Sequence, residues 1–458
     1  MRAIQRLTML LFCCLALVRT AHAQESPTWH YAWQHDTWEI IALSSEGETQ
    51  ILLSDVGEYE ITQRLTPETL FASLMLGNQR TAYHLSPTAA TALVPDRLPE
   101  GFSQDDLEYM LVTHTANHAV IKASNSFPTS AFYLADFSAG TLTLVEGLLW
   151  TDSVAFSADG TMLRYVISDP TQPLWQLRER EIQTDAERVI TQGEENPPRI
   201  TADRMHGDHW LYSAINDNNV LEYTLLNMHE ETQEPVQALT VGGSQGVQIL
   251  GNILLTWDWL CEQDCLLRVA DLESGLQKDL RLAPGTAQIP TYAQWLDNET
   301  LVALLGNDFY RLSTEHEAEY IGHIDPSVIQ HSQIKADSKF IPLMINDNGD
   351  YGVWSVTEAD FVYTSALQNP TILFLFAYDN GFIFSEGFID YTVYRPETGE
   401  TFTIGSGFHT CPVLLENGDV LCNVLTANEV FSVRGIYRYS PETDTSTLYL
   451  EDANLIGN

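Results

Sequence analysis

One pattern recurs about every 42 residues through this chain: an apolar alternation, a polar or glycine-bearing turn, and a threonine-rich return strand. It is clearest in ALSSEGETQIL at Gly47, YLADFSAGTLTL at Gly140, RVADLESGLQKDL at Gly275, VYRPETGETFTI at Gly399 and YRYSPETDTSTLYL at Glu442. Weaker turns in the same phase fall near Ser86, Arg180, Glu231, Glu315 and Glu358. Turn centres near 46, 88, 138, 181, 231, 273, 315, 357, 397 and 442 stay about 40 to 50 residues apart, the period of a four-stranded propeller blade. The expectation is an all-β protein of about ten blade-like repeats.

The fullest unit runs from Thr151, where Val154 and Phe156 alternate into the turn Ser157, Ala158, Asp159, Gly160. Met162, Leu163, Tyr165 and Ile167 then form a second strand, and a third begins near Leu174. A looser copy starts at Tyr292, with Trp295 in the place of Phe156 and Asp297, Asn298 and Glu299 as its turn. The segment Phe156 to Gly160 with Leu163 and Tyr165 resembles the WD40-like F-S-P-D-G-x-x-L-x-Y repeat of TolB-type and prolyl-oligopeptidase-type β-propellers. That resemblance implies propeller architecture and no particular activity. Solenoid rungs are usually shorter and lack two hairpins per unit, and tandem sandwiches would show linkers. One closed ring is preferred to two smaller ones. Breaks between rings would fall at Gln192 to Pro198 (QGEENPP) or Val241 to Gly246 (VGGSQG).

Residues 1–23 read as a signal peptide: Arg2 and Arg6 precede the apolar core Leu7 to Val18, and Ala21, His22, Ala23 form an A-x-A cleavage signal. Cleavage after Ala23 leaves a repeat region of residues 24–458 in a secreted or periplasmic protein. Cys13 and Cys14 follow Leu11 and Phe12, not the small residue that a lipobox needs. No other stretch suits a membrane span, since TILFLFAYDNGFIF at Thr371 is broken by Asp379, Asn380 and Gly381.

Removing the leader takes away three of the 22 basic residues and none of the 62 acidic ones, leaving a net charge of about −43. Such a field repels nucleic acid and anionic membranes and favours cationic partners or Ca²⁺, besides keeping the protein soluble. No basic stripe interrupts it, and the chain has only four lysines, Lys122, Lys278, Lys335 and Lys339.

Four cysteines remain, an even number that suits an oxidising compartment. Cys261 and Cys265 flank a hairpin tip and are expected to pair. Cys411 and Cys422 flank a hairpin centred on Asn417 and Gly418, where a two-residue loop would set them one step diagonal. Bridging there needs a bulge or a wider loop. No C-x-x-C spacing supports a metal site instead.

Catalytic signatures are weak. Gly242, Gly243, Ser244, Gln245 and Gly246 satisfy G-x-S-x-G, but a β run follows where a nucleophile elbow needs a helix. His206, Asp208 and His209 form an H-x-D-H cluster that would bind Zn²⁺ only with ligands from elsewhere. His114 and His118, read as one strand, stand about 13 Å apart and cannot share an ion. Asn346 to Asp350 approaches a Ca²⁺ loop but reads as a turn. The S-x-D-x-G-x-T-W box of sialidase-like propellers is absent. Trp257 and Trp259 share a strand face and suit either a carbohydrate platform or an inter-blade core.

The chain is therefore expected to act as a non-catalytic scaffold without a cofactor, binding a protein or glycan through loops at one face of the ring. The alternative is a glycan- or ester-acting enzyme using carboxylates around the central funnel.

Overall fold

The computed structural model describes residues 29–456 except 67, 78, 104–106, 125–129, 149–152, 158, 169–173, 195–198, 203–208, 216–220, 229–231, 237–244, 259–264, 283–288, 325–337, 346–349, 366–371, 379–380, 387–389, 397, 406 and 416. Every regular element among the described residues is a β-strand, apart from one isolated helical position. Residues 1–23, expected from the sequence to be a signal peptide, lie outside them.

Short-range chemistry explains where the strands turn. In the unit at Thr151, Ser157 Oγ donates to the Asp159 carboxylate at 2.6 Å, which also accepts the Thr161 amide at 3.0 Å. Gly160 takes φ +69°, the left-handed value that glycine adopts without strain. Asp297 repeats the device, accepting the Glu299 and Thr300 amides at 2.7 Å each. The aspartate of the blade signature is thus a turn acceptor. A second device closes the outer hairpins: Asp136 and Asp271 each accept two amides within the turn, while Gly140 and Gly275 donate back to their backbone carbonyls at 2.9 Å.

The strands sort into ten antiparallel meanders among the described residues. Unit 1 comprises Trp29–Gln34, Glu39–Ser44 and Thr49–Leu53, joined by Ala453–Ile456 from the C-terminal end. Units 2 to 7 begin with the strands Val56–Arg64, Glu108–His114, Val154–Phe156, Arg199–Ala202, Gln245–Leu250 and Pro290–Trp295. Unit 8 shows three strands, from Phe340–Met344 to Asp360–Ser365. Unit 9 begins at Ile372–Tyr378, and unit 10 at Thr410–Leu414. The outer strands of units 2 and 3 also pair in parallel, Val94 opposite Thr141, merging two meanders into an eight-stranded sheet.

Each meander is buried on both faces, because alternate side chains reach opposite neighbours. Tyr31 packs with Leu70 and Leu74 of unit 2, whereas the next residue, Ala32, packs with Val413 and Leu421 of unit 10. Between these lie Phe71 with Tyr109 and Ile121, Phe132 with Phe156, Leu177 with Trp210, and Leu211 with Ile249. The sequence continues with Leu255 against Leu301, Phe309 against Val353, Val353 against Phe384, and Ile383 against Val420. The inter-unit cores therefore form a closed cycle from unit 1 back to unit 1. Of the two stretches where a break would fall if the chain made two rings, residues 195–198 and 241–244 lie outside the described residues; shared cores join the units on either side of each.

Backbone pairing closes the cycle. Trp29–Gln34 lies between Glu39–Ser44 and the C-terminal strand Ala453–Ile456, with Tyr31 opposite Ile456 and Gln34 opposite Ala453. Side chains reinforce the seam: Arg438 of unit 10 binds Asp419 at 2.6 Å and donates to the Ser45 carbonyl of unit 1 at 3.0 Å. Tyr449 donates to the Ser44 carbonyl.

Candidate binding face

The first strand of each unit is innermost. First strands of neighbours touch, as Val56–Arg64 does Glu108–His114 and Gln245–Leu250 does Pro290–Trp295. Last strands such as Thr232–Pro235 and Thr445–Glu451 instead expose most of their residues. Radial sheets are closest at the axis, so this difference sets the direction. One face of the ring then carries the links between units together with the turns between second and third strands. In unit 1 the C-terminal strand takes the innermost place.

At the seam this face gathers aromatic and charged side chains. The turn His35–Trp38 follows the second strand of unit 1, and Asp452 links unit 10 to the closing strand. Arg434, at the end of the long loop 425–434 of unit 10, forms ion pairs with Asp452 and with Asp36 at 3.6 Å. The Asp452 carboxyl is pushed up by burial, but hydrogen bonds from Asp36 and Arg434 outweigh this and hold it below the usual range. Its carboxylate in turn raises Asp36 through their shared hydrogen bond and charge. His35 Nε2 contacts the Asn454 amide at 2.8 Å.

Beside this lie Trp33, Trp38 and Tyr59. Trp33 meets Trp38 edge to face at 6.3 Å between ring centroids, and Tyr59 likewise at 5.4 Å. Trp33 Nε1 donates to the Val56 carbonyl at 3.3 Å, and the Val56 amide donates to the Trp38 carbonyl at 2.9 Å. Both tryptophans are thereby fixed to the start of the innermost strand of unit 2. Trp38 is nevertheless 50 % exposed. The sequence reading did not single these residues out; the W-x-x-x-x-W spacing of Trp33 and Trp38 was the available signal.

The expected site residues are dispersed. Cys411 and Cys422 form a disulfide. The hairpin adds one residue twice: its tip is closed by Leu415 and Asp419, one residue wider than a two-residue loop, and a bulge lies between Thr410 and Val413. Together these set the cysteines opposite each other. Cys265 is also disulfide-bonded, to a partner outside the described residues, where Cys261 lies as well.

His206, Asp208, Ser244, Trp259 and residues 346–349 lie outside the described residues too. His209 begins a strand of unit 5. After Ser244 the chain continues as the strand Gln245–Leu250, not as a helix.

Trp257 is only 2 % exposed and packs in the core between units 6 and 7, so it is no carbohydrate platform. Its cross-strand partner Gly246 leaves room for the indole.

His114 and His118 are not on one strand. Thr115 N donates to the His118 carbonyl, so the chain reverses between them, and the 13 Å argument against a shared ion does not hold. Among the described residues, no three histidine, cysteine, aspartate or glutamate side chains form a group able to hold a metal.

Ten antiparallel meanders, a closed cycle of inter-unit cores and a first sheet completed by the last strand define a β-propeller. No protein-family model matches the chain, and no curated protein matches it. Among solved structures, it is similar to the uncharacterized protein lmo1340 of Listeria monocytogenes, with 10 % identity, 75 % of this chain and 94 % of that one covered, and TM-score 0.37. BamB of Moraxella catarrhalis gives 10 % identity, 75 % and 92 % coverage, and TM-score 0.35. A prolyl endopeptidase gives 10 % identity and TM-score 0.40; 84 % of this chain is covered, which spans about half (55 %) of that enzyme's length. At such identities the likeness is one of strand arrangement alone.

Proposed function

We propose that the protein is a single-ring propeller, exported from the cytoplasm, that acts as a non-catalytic scaffold and engages its partner through the face described above. The observation that carries this reading is the aromatic cluster built on the ring seam, in which the partly buried Trp33 and Tyr59 back a half-exposed Trp38. Disulfide bonding at Cys411, Cys422 and Cys265 supports an oxidising compartment, in line with the N-terminal leader. The composition of the innermost strands adds support. Among the described first strands, acidic residues occur only at Glu58, Glu60 and Glu108, and Glu108 lies 3.7 Å from Arg80.

The test is turnover. Mature protein is incubated with a panel of chromogenic glycosides and esters, alone and with Ca²⁺. The scaffold reading predicts rates equal to buffer. Turnover that is lost in Glu58→Gln or Glu108→Gln would replace it with the enzyme reading.

A further inference from the structure

We propose that the aromatic cluster at Trp38 is a binding site for a basic peptide segment, receiving a lysine or arginine side chain against the indole. The proposal rests on the scaffold reading and names the partner chemistry of that face.

Trp38 has φ +58°, a left-handed conformation that is costly for a bulky side chain. Among the described residues, the other left-handed non-glycine positions are Asp55, Asp185, Ala359, Asp444 and Asp452, all small or able to bond their own backbone. A turn selected for stability alone would carry glycine or asparagine here. The strain is held by the bond between Val56 N and the Trp38 carbonyl, and the ring lies near Gly57, where a side chain would approach its six-membered edge at 3.9 Å. An aromatic residue kept strained, half in solvent and fixed from behind is the arrangement expected of a ligand clamp.

Charge selects the ligand. Asp36 precedes the indole in its turn, Glu39 follows it, and Asp55 and Glu58 flank the Val56–Gly57 segment beneath it. Asp36, Asp55 and Glu58 are exposed, and Glu39 accepts a hydrogen bond from Ser54 at 3.3 Å. Arg434 is already engaged by Asp36 and Asp452. With 62 acidic and 22 basic residues in the chain, the long-range field draws in the same sign of ligand. A cation over an indole, rimmed by carboxylates, gains from both terms.

The site also extends. Glu58 and Tyr59 lie near the start of the innermost strand of unit 2, and Met110, 41 % exposed, occupies the corresponding end of its neighbour in unit 3. An extended segment could therefore place a basic residue on Trp38 and an apolar one on Met110.

The experiment is calorimetric titration of the mature protein with a peptide of alternating lysine and alanine at low salt, beside a neutral oligosaccharide. Trp38→Gly tolerates the left-handed backbone and should weaken peptide binding about tenfold or more. Asp55→Asn with Glu58→Gln should weaken it several-fold, asparagine tolerating the left-handed backbone of Asp55, and provides the test should the glycine variant fold poorly. A distant pair, Glu315→Gln with Glu317→Gln, should leave affinity within about twofold. Equal losses in the distant and local variants would reduce binding to nonspecific attraction and overturn the proposal. So would no peptide binding, or Trp38-dependent binding of the oligosaccharide instead. Those failures leave the scaffold reading intact, whereas glycoside or ester turnover would refute that reading with peptide binding unchanged.

Discussion

Acid should weaken this protein through one buried histidine. His30 lies on the strand that pairs with the C-terminal strand, on the side of Ala32, which packs toward unit 10. It is 5 % exposed, and neither ring nitrogen has a hydrogen-bond partner among the described residues. Burial first, and the Arg64 charge second, hold its pKa at about 3, against 6.5 for an ordinary histidine. Folded His30 stays neutral between these values while the unfolded chain takes up a proton. Stability therefore falls as pH drops from 6.5 towards 3, by about 1.4 kcal/mol per pH unit. The loss reaches about 2 kcal/mol at pH 5 and at most about 5 kcal/mol at the acid end. His30→Leu removes the titration and also two unsatisfied polar atoms, so it should gain about 1–2 kcal/mol already at pH 7.5. Urea unfolding of both proteins at pH 7.5 and 5 isolates the effect, because carboxylate titration is common to both. The advantage of His30→Leu should widen by about 2 kcal/mol at pH 5. Parallel losses would show that His30 is hydrated or hydrogen-bonded, and would refute the reasoning.

Other outcomes follow from single contacts. Gly246→Ala would place a methyl 2.3 Å from the Trp257 ring, and should cost about 1–3 kcal/mol by overpacking, read as a lowered urea midpoint. Cys411→Ser with Cys422→Ser opens a bridge between residues 11 apart and should cost up to about 3 kcal/mol at unchanged secondary structure by circular dichroism. Salt should raise the melting temperature by screening carboxylates, with NaCl and CaCl₂ equivalent at matched ionic strength; a saturating response to low CaCl₂ would reveal a specific ion site instead.

The architecture was legible in the sequence because blade turns have strong local chemistry. The expected outer-hairpin turns at 46, 88, 138, 181, 273, 315, 357 and 442 each fall at or beside the turn before the last strand of a unit, while 231 and 397 lie outside the described residues. Asp159 and Asp297 were readable as turn residues for the same reason. What depends on distant partners was not legible. Ala453–Ile456 is four residues long, and nothing local says that it completes the first sheet. The bulge that aligns Cys411 with Cys422 follows from pairing across the hairpin, and composition does not encode it. Trp257 and Trp38 look alike in sequence, yet Trp257 fills the space over Gly246 between two units while Trp38 stands in a turn on the seam. His114 and His118 misled because Thr115–Asn117 makes a turn without glycine or proline.

The proposed binding face exists only if the two ends of the chain meet in one sheet. Gln34 and Ala453 are directly opposed, so cysteines there should lie within the ~4.4–6.8 Å Cα spacing of a disulfide. Gln34→Cys with Ala453→Cys, mildly oxidised and mapped by mass spectrometry, should give an intramolecular bridge in the monomer. Gln34→Cys with Ile456→Cys, about 10 Å out of register, should not. Bridging only between molecules, or equally in both variants, would contradict the closed ring.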